Sequence, residues 1–222
     1  MLRRAAEQVA RMRASFPDRE CVVVDLGCGF GWHWVEITAA NPEIRFVLVD
    51  FALPNLQVCR NLMPVDSHPN VLCVQASILD LPIRNGAATL AWSVQVMQHI
   101  ADPERTIAFR EARRILKPRG AFYIAWVRAV PMMSFLSRLI ARHYHQQGRT
   151  QQGLYLDRFD DGIRDTLLGV FPSGRVTRSE SLFHPELRLR PRANWVGTLD
   201  LAISRSPIGT LIARQAEFSG EA

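Results

Sequence analysis

The chain of 222 residues lacks several features that define whole classes of protein. No apolar run approaches the roughly 18 residues that span a bilayer, and residues 1–8 lack the apolar core of a secretory signal. The four cysteines form no C-x-x-C pair, so their spacing gives no metal site, and we expect them to be reduced. We therefore expect a cytoplasmic protein without a metal ion and without stable insertion into a membrane.

Lysine is almost absent, since Lys117 is the only lysine among the 27 lysines and arginines. A net charge of +6 is by itself typical of nucleic-acid binding. The arginines, however, are scattered along the chain, and so strong a skew toward one basic residue indicates coding bias as much as phosphate contacts. We therefore expect solvated charged faces on a globular protein, and no nucleic-acid partner.

A glycine-rich turn follows the first apolar run of the chain. The β-branched residues 22–24 predict a buried parallel strand, and Gly27, Gly29 and Gly31 then allow a sharp turn that comes close to a ligand. A second apolar run, residues 44–49, ends at Asp50. A glycine loop after one strand and a carboxylate at the end of the next predict a nucleoside-type cofactor site, in which Asp50 binds a ribose diol.

The glycine spacing distinguishes this site from a dinucleotide site. In G-x-G-x-x-G the third glycine lets a helix pack closely on the strand, and Trp32 occupies that position here. Asp25, just before the glycines, is unfavourable for a diphosphate and suits a cationic group such as an α-amino group. The residues therefore favour a nucleoside cofactor with a cationic end.

Five segments, in order, resemble the motifs of class I S-adenosylmethionine (SAM)-dependent methyltransferases of the type 11/25-like kind. They are residues 25–31, 49–51, 77–82, 92–100 and 111–120. All five lie within residues 20–127. The resemblance implies an enzyme with SAM as its cofactor, which leaves S-adenosylhomocysteine (SAH) as a product.

The predicted elements alternate as that resemblance requires. We predict strands over about 21–26, 44–50, 71–75, 89–93 and 121–127, and helices over about 32–41, 54–63 and 103–116. The alternation predicts a parallel sheet with helices on both faces. The resemblance implies a Rossmann-like α/β fold of seven mostly parallel strands, closed by an antiparallel hairpin that we assign to residues 175–183 and 195–204.

We expect residues 1–222 to form one domain. Residues 1–19 form its N-terminal helix, 20–127 its cofactor-binding core, 128–174 a substrate-covering insertion and 175–205 the closing strands. The sequence leaves open whether a helix predicted at residues 132–145 is a lid, a dimer contact or a membrane-surface helix. Homo-oligomerisation is also left open.

The resemblance implies roles for individual residues. Gly27, Cys28, Gly29 and Gly31 surround the methionine part of the cofactor, and Asp25 orients its amino group. The remaining cofactor-binding positions are His33, Asp50, Phe51, Ser77, Ile78 and Ser93. Ser77 stands where the family often has an aspartate. His99, just after the fourth strand, is the candidate general base, with a structural histidine as the alternative.

The function that these observations predict is methyl transfer to oxygen, nitrogen or carbon of a small molecule. Trp92 and Trp126, near the ends of adjacent strands, suit an aromatic wall for a largely apolar or aromatic acceptor, with core packing as the alternative. Two other functions remain open. The arginine content is compatible with an RNA-modifying methyltransferase, and the fold is compatible with a non-catalytic protein that binds a partner or a membrane surface.

Overall fold

The computed structural model describes residues 2–17, 20–127, 162–179, 199, 202–206 and 215–222. The helices labelled in these residues are α1 (Leu2–Ser15), α2 (Val35–Ala40), α3 (Leu53–Leu62), α4 (Asp102–Ile115) and α5 (Gly162–Val170). The strands are β1 (Val22–Leu26), β2 (Arg45–Asp50), β3 (Val71–Gln75), β4 (Ala88–Val94), β5 (Leu116–Val127), β6 (Arg175–Ser179) and β7 (Gln215–Glu221). Short 3-10 turns occur at Trp32–Trp34 and Met97–His99.

The seven strands form one sheet in the order β3-β2-β1-β4-β5-β7-β6. Strands β1 to β5 pair in parallel, whereas β7 is antiparallel to both β5 and β6. The predicted fold class, a mostly parallel sheet with a C-terminal antiparallel hairpin, is therefore confirmed. Strand β1 lies between β2 and β4, where the chain order reverses, and this is where open α/β sheets bind ligands.

Two apolar clusters cover the two faces of the sheet. On one face, Phe109 of α4 and Ile163 of α5 pack with Phe122 of β5. On the other face, Val9 of α1 and Leu56 of α3 belong to a cluster with central-strand residues. Because the central strands are buried on both faces, they carry the nearly continuous apolar runs that are typical of parallel sheets.

Side-chain hydrogen bonds fix the central strands at both ends. The Thr89 hydroxyl accepts a bond from the Val22 N–H at 2.7 Å and donates to the Val22 carbonyl at 2.8 Å. At the opposite end, the Ser93 hydroxyl donates to the Leu26 carbonyl at 2.8 Å. These bonds hold β4 in register with β1, so the loops that leave the two strands have a fixed separation.

The loop before β4 is anchored to helix α4. Glu111 accepts a hydrogen bond from the Leu81 N–H at 2.9 Å and forms an ion pair with Arg114 at 2.7 Å. Arg114 in turn donates to the carbonyl oxygens of Leu81 and Ile83. The motif over residues 111–120 therefore has a structural use, which is to hold the chain between β3 and β4.

The prediction of a closing strand at residues 195–204 is wrong. Residues 202–205 are helical, and the strand that pairs with β5 is β7. In β7 the buried apolar residues are Ala216 and Phe218, and the strand also contains Glu217 and Gly220, so its apolar signal is weak. The predicted helix at residues 132–145 lies outside the described residues, as does most of the predicted insertion. In the described part of the chain, no helix is both long and apolar enough to cross a bilayer.

Candidate functional site

A cavity of about 990 Å³ opens where β1, β2 and β4 end. This volume is at the upper end of the roughly 300–1,000 Å³ of small-molecule sites. Ten of the twelve predicted site residues line it: Asp25, Gly27, Cys28, Gly29, His33, Asp50, Phe51, Ser77, Ile78 and His99. The sequence motifs therefore meet in one place, although they lie far apart in the chain.

Asp50 holds the glycine loop in place. One carboxylate oxygen accepts a hydrogen bond from the Gly29 N–H at 2.8 Å. The other oxygen accepts bonds from the Ala52 N–H at 2.9 Å and from the Asn55 amide at 3.1 Å. Because a carboxylate has about four acceptor positions and these three bonds do not fill them, Asp50 keeps acceptor capacity for a ligand at the cavity.

The three glycines of the loop have different neighbours. All three have positive φ, which side chains rarely adopt. A Cβ at Gly27 would lie 2.4 Å from Val96, and one at Gly31 would lie 2.8 Å from the Cys59 sulfur. A Cβ at Gly29 would meet no atom within 4 Å, and Gly29 lines the cavity. Gly29 is thus the glycine whose missing side chain leaves room for a ligand.

Asp25 is buried beneath the glycine loop, with 1% of its surface exposed. Its carboxylate accepts a hydrogen bond from the Trp34 indole N–H at 2.7 Å. The His33 Nε2 atom lies 3.4 Å from the same oxygen. Trp34 therefore fixes the orientation of the carboxylate, and the cavity wall beside it is polar and negatively charged.

Cys28 lines the cavity but is not a nucleophile at neutral pH. Hydrogen bonding with Cys59 lowers the pKa of the Cys28 thiol, but burial and the Asp25 and Asp50 carboxylates outweigh it and raise the pKa overall. The hydrogen bond with Cys28, together with burial, raises the pKa of Cys59 to about 12. The Cys59 sulfur is 3.5 Å from that of Cys73, so the three thiols form a protonated cluster behind the loop.

His99 lies in the short turn after β4. The backbone reverses at Gln95, which has a φ of 57° and donates its N–H to the Ala125 carbonyl at 2.7 Å. The side chain of Arg105 donates to the Ile100 carbonyl at 2.9 Å and so anchors this turn to α4. Burial lowers the pKa of His99, because the charged imidazolium loses solvation. A neutral histidine thus faces the cavity at neutral pH.

Gly31 and Ser93 do not line the cavity. Gly31 packs against Cys59, and Ser93 is fully buried with its hydroxyl bonded to Leu26. The prediction of an aromatic wall from Trp92 and Trp126 is wrong, because both side chains are buried in the core. Trp92 stacks on Tyr123 with ring centroids 4.3 Å apart. Helix α1 also contributes nothing to the described lining.

Eight lining residues were not predicted as site residues: Phe30, Trp32, Leu79, Val94, Gln95, Val96, Ile100 and Glu104. Phe30 and Trp32 are half exposed, at 51% and 58%, so they form an aromatic rim to the cavity. The sequence could have indicated Phe30 and Trp32, because each is a bulky aromatic residue next to a glycine of the loop. No local pattern indicates that the first turn of α4 brings Glu104 to the same cavity.

Among the residues that the structure describes, no group of three His, Cys, Asp or Glu side chains could hold a metal.

Comparison with known proteins agrees with this geometry. Residues 23–120 match the family model described as a methyltransferase domain. These residues form a class I SAM-dependent methyltransferase domain. The malonyl-[acyl-carrier protein] O-methyltransferase of Halalkalibacterium halodurans is 29% identical over 124 residues, which are 54% of this chain and 44% of that protein. The chain spans less than half the length of the curated relatives it matches.

Solved structures share the fold at low sequence identity. A SAM-dependent methyltransferase from Aquifex aeolicus has a TM-score of 0.58 at 11% identity, covering 97% of this chain and 88% of that one. The [4+2]-cyclase SpnF also has a TM-score of 0.58, at 16% identity, covering 98% of this chain and 81% of that one. At these identities the likeness shows the fold alone.

The residues at the cavity fit SAM, the cofactor of this domain family. The space beside Gly29 accepts a ligand against the loop backbone, and Asp50 keeps acceptor capacity for ribose hydroxyls. Asp25 suits the α-amino group, and the buried His33 Nε2 forms no hydrogen bond within the described residues. The carboxylates at the cavity also suit a cofactor that carries a sulfonium.

Gly29 and Gly31 offer a matched test of these different roles. Gly29→Ala should lower the free energy of unfolding by only about 1–2 kcal/mol, which is the cost of placing alanine in the left-handed backbone conformation. Gly31→Ala should lower the free energy of unfolding by roughly 1–3 kcal/mol more than Gly29→Ala does, because its methyl group also meets Cys59 and Met63. Urea unfolding of both variants measures the difference, and equal losses would contradict the assignment of Gly29 to the cavity and Gly31 to the core.

The environment of His99 predicts its titration. Its pKa should lie below the ordinary value of about 6.5, since burial disfavours the charged ring. NMR titration of the histidine ring protons, with the His99 signal assigned by its loss in His99→Gln, measures this pKa. A value at or above 6.5 would contradict the partial loss of solvation that lowers the pKa of this ring.

Proposed function

We propose that this chain binds SAM in the cavity and transfers its methyl group to a small-molecule acceptor. The observation that carries the proposal is the joint placement of Asp50 and Gly29: the carboxylate holds the loop, and the glycine leaves ligand space beside it. Both features lie at the reversal point of the sheet, next to the buried Asp25. A nucleoside ligand with a cationic end satisfies all three residues.

In this reaction the protein mainly positions the two ligands. SAM supplies a methyl group that its sulfonium already activates, so the chain needs to hold donor and acceptor in line. Asp50 binds the ribose hydroxyls, the glycine loop contacts the methionine part, and Asp25 with His33 binds its charged end. Phe51, Ser77 and Ile78 border the space for the adenine.

The acceptor lies on the side of the turn after β4. Gln95, Val96, His99 and Ile100 line the cavity there. Where the acceptor has a proton to lose, the neutral His99 ring accepts it. Because the pKa of His99 is lowered by burial, the ring stays neutral to a lower pH than an ordinary histidine, and the acid limb of the rate profile shifts down accordingly.

The two other functions have weaker support. An RNA acceptor requires cationic side chains beside the cavity, and the described lining contains no arginine or lysine. The likeness to a [4+2]-cyclase means that the fold does not by itself imply methyl transfer. However, the glycine loop and Asp50 have the geometry that a bound cofactor needs, which favours a protein that uses SAM.

Titration calorimetry with SAH tests cofactor binding directly. Wild-type protein should bind SAH and should not bind NAD. Asp50→Asn should weaken SAH binding roughly 10- to 100-fold, because it removes a charge-assisted bond to the ribose and weakens the acceptor of the Gly29 N–H. The matched control is Asp66→Asn, since Asp66 is exposed and outside the described cavity lining.

The control variant should bind SAH as wild type does, and circular dichroism should show that both variants are folded. Absence of SAH binding to the wild-type protein would overturn the proposal. Binding that is equally strong in Asp50→Asn would show that the cofactor sits elsewhere.

A further inference from the structure

The cavity carries a charge opposite to that of the chain. Its described lining contains three carboxylates, Asp25, Asp50 and Glu104, and no arginine or lysine. The chain as a whole has a net charge of +6. SAM has one net positive charge, and Asp25 and Asp50 are the carboxylates placed for it. The cavity therefore holds one carboxylate, Glu104, that the cofactor does not require.

Glu104 lines the same cavity, from the helix that follows the turn after β4. It belongs to the first turn of α4, five residues after His99, and its side chain is exposed. In the part of the chain that the structure describes, no ion pair or hydrogen bond holds this carboxylate, although Arg105 is its neighbour in sequence. A charged group of the chain is thus available to a ligand.

The rim of the cavity adds a second feature. Phe30 and Trp32 expose 51% and 58% of their surfaces there. Aromatic faces attract organic cations through the ring quadrupole. Deeper in the same cavity, the side chain of His33 is nine-tenths buried, and its Nε2 atom forms no hydrogen bond within the described residues. The described walls thus offer polar and aromatic contacts to a ligand, and they contain no arginine or lysine that would pair with an anion.

We infer that the acceptor carries a protonated amine, and that Glu104 binds this ammonium group at the rim beside the aromatic side chains. The inference rests on the proposed function, since it concerns the second ligand of the same cavity. A free carboxylate or a phosphate on the acceptor would face Glu104 with no compensating charge from the described lining. The charges therefore select against acids, phosphates and RNA as well as for amines.

Three probes of similar shape and different charge test the inference by binding. Phenethylamine is a cation at neutral pH, phenethyl alcohol is neutral, and hydrocinnamate is an anion. Each is titrated into protein saturated with SAH, and its affinity is measured by ligand-observed NMR. The amine should bind roughly tenfold more tightly than the alcohol, as expected for a partly exposed charge-assisted bond. Hydrocinnamate should bind more weakly than the alcohol.

Glu104→Gln should remove this preference. In that variant the affinity for phenethylamine should fall roughly tenfold, to about that of the alcohol, whose own affinity stays unchanged. In the wild-type protein the preference should also shrink with added salt, because the Glu104 carboxylate is exposed. The matched control is Glu7→Gln, an exposed glutamate on α1 that pairs with Arg3 and lies outside the described cavity lining.

The inference is overturned if hydrocinnamate binds as well as the amine, if no probe binds the SAH complex, or if Glu104→Gln keeps the preference. SAH binding is measured in the same samples. Loss of SAH binding in the wild-type protein contradicts the proposed function, whereas intact SAH binding without amine preference contradicts the inference about the acceptor alone.

Discussion

The carboxylate of Asp50 ties the end of β2 to the glycine loop that follows β1. It binds the Gly29 N–H on one oxygen and the Ala52 N–H and the Asn55 amide on the other. The loop needs this anchor because three residues with positive φ lie within five positions of the chain. A single side chain thus determines both the shape of the loop and the polar surface that a ribose would contact.

The rest of the fold keeps this anchor at a fixed place. Thr89 and Ser93 hold β4 against β1 at the two ends of their contact. Glu111 and Arg114 hold the segment before β4. The cavity walls are therefore built on the buried centre of the sheet. The exposed side chains that can contact a ligand lie at the rim. Under the proposed function, the buried walls hold the cofactor and the more exposed rim meets the acceptor.

The sequence predicts the parts of the site that depend on backbone chemistry. Positive φ at Gly27, Gly29 and Gly31 and a carboxylate at a strand end are local requirements, so they are visible in the chain. Sequence does not distinguish a motif residue that contacts ligand from one that packs: Gly31 and Ser93 are both packed. Trp92 lies in the core because a central strand is buried on both faces. Strand β7 was missed because few of its residues are apolar, and Glu104 because only the fold brings α4 to the cavity.

The claim on which this account depends is that the unit of Asp50 and the glycine loop is where the cofactor binds. A crystal structure of the complex with SAH tests it most directly. The account predicts ribose hydroxyl oxygens about 2.5–3.0 Å from the Asp50 carboxylate, with the amino acid end beside Asp25 and His33. SAH bound elsewhere, or in this cavity with its ribose away from Asp50, would contradict it.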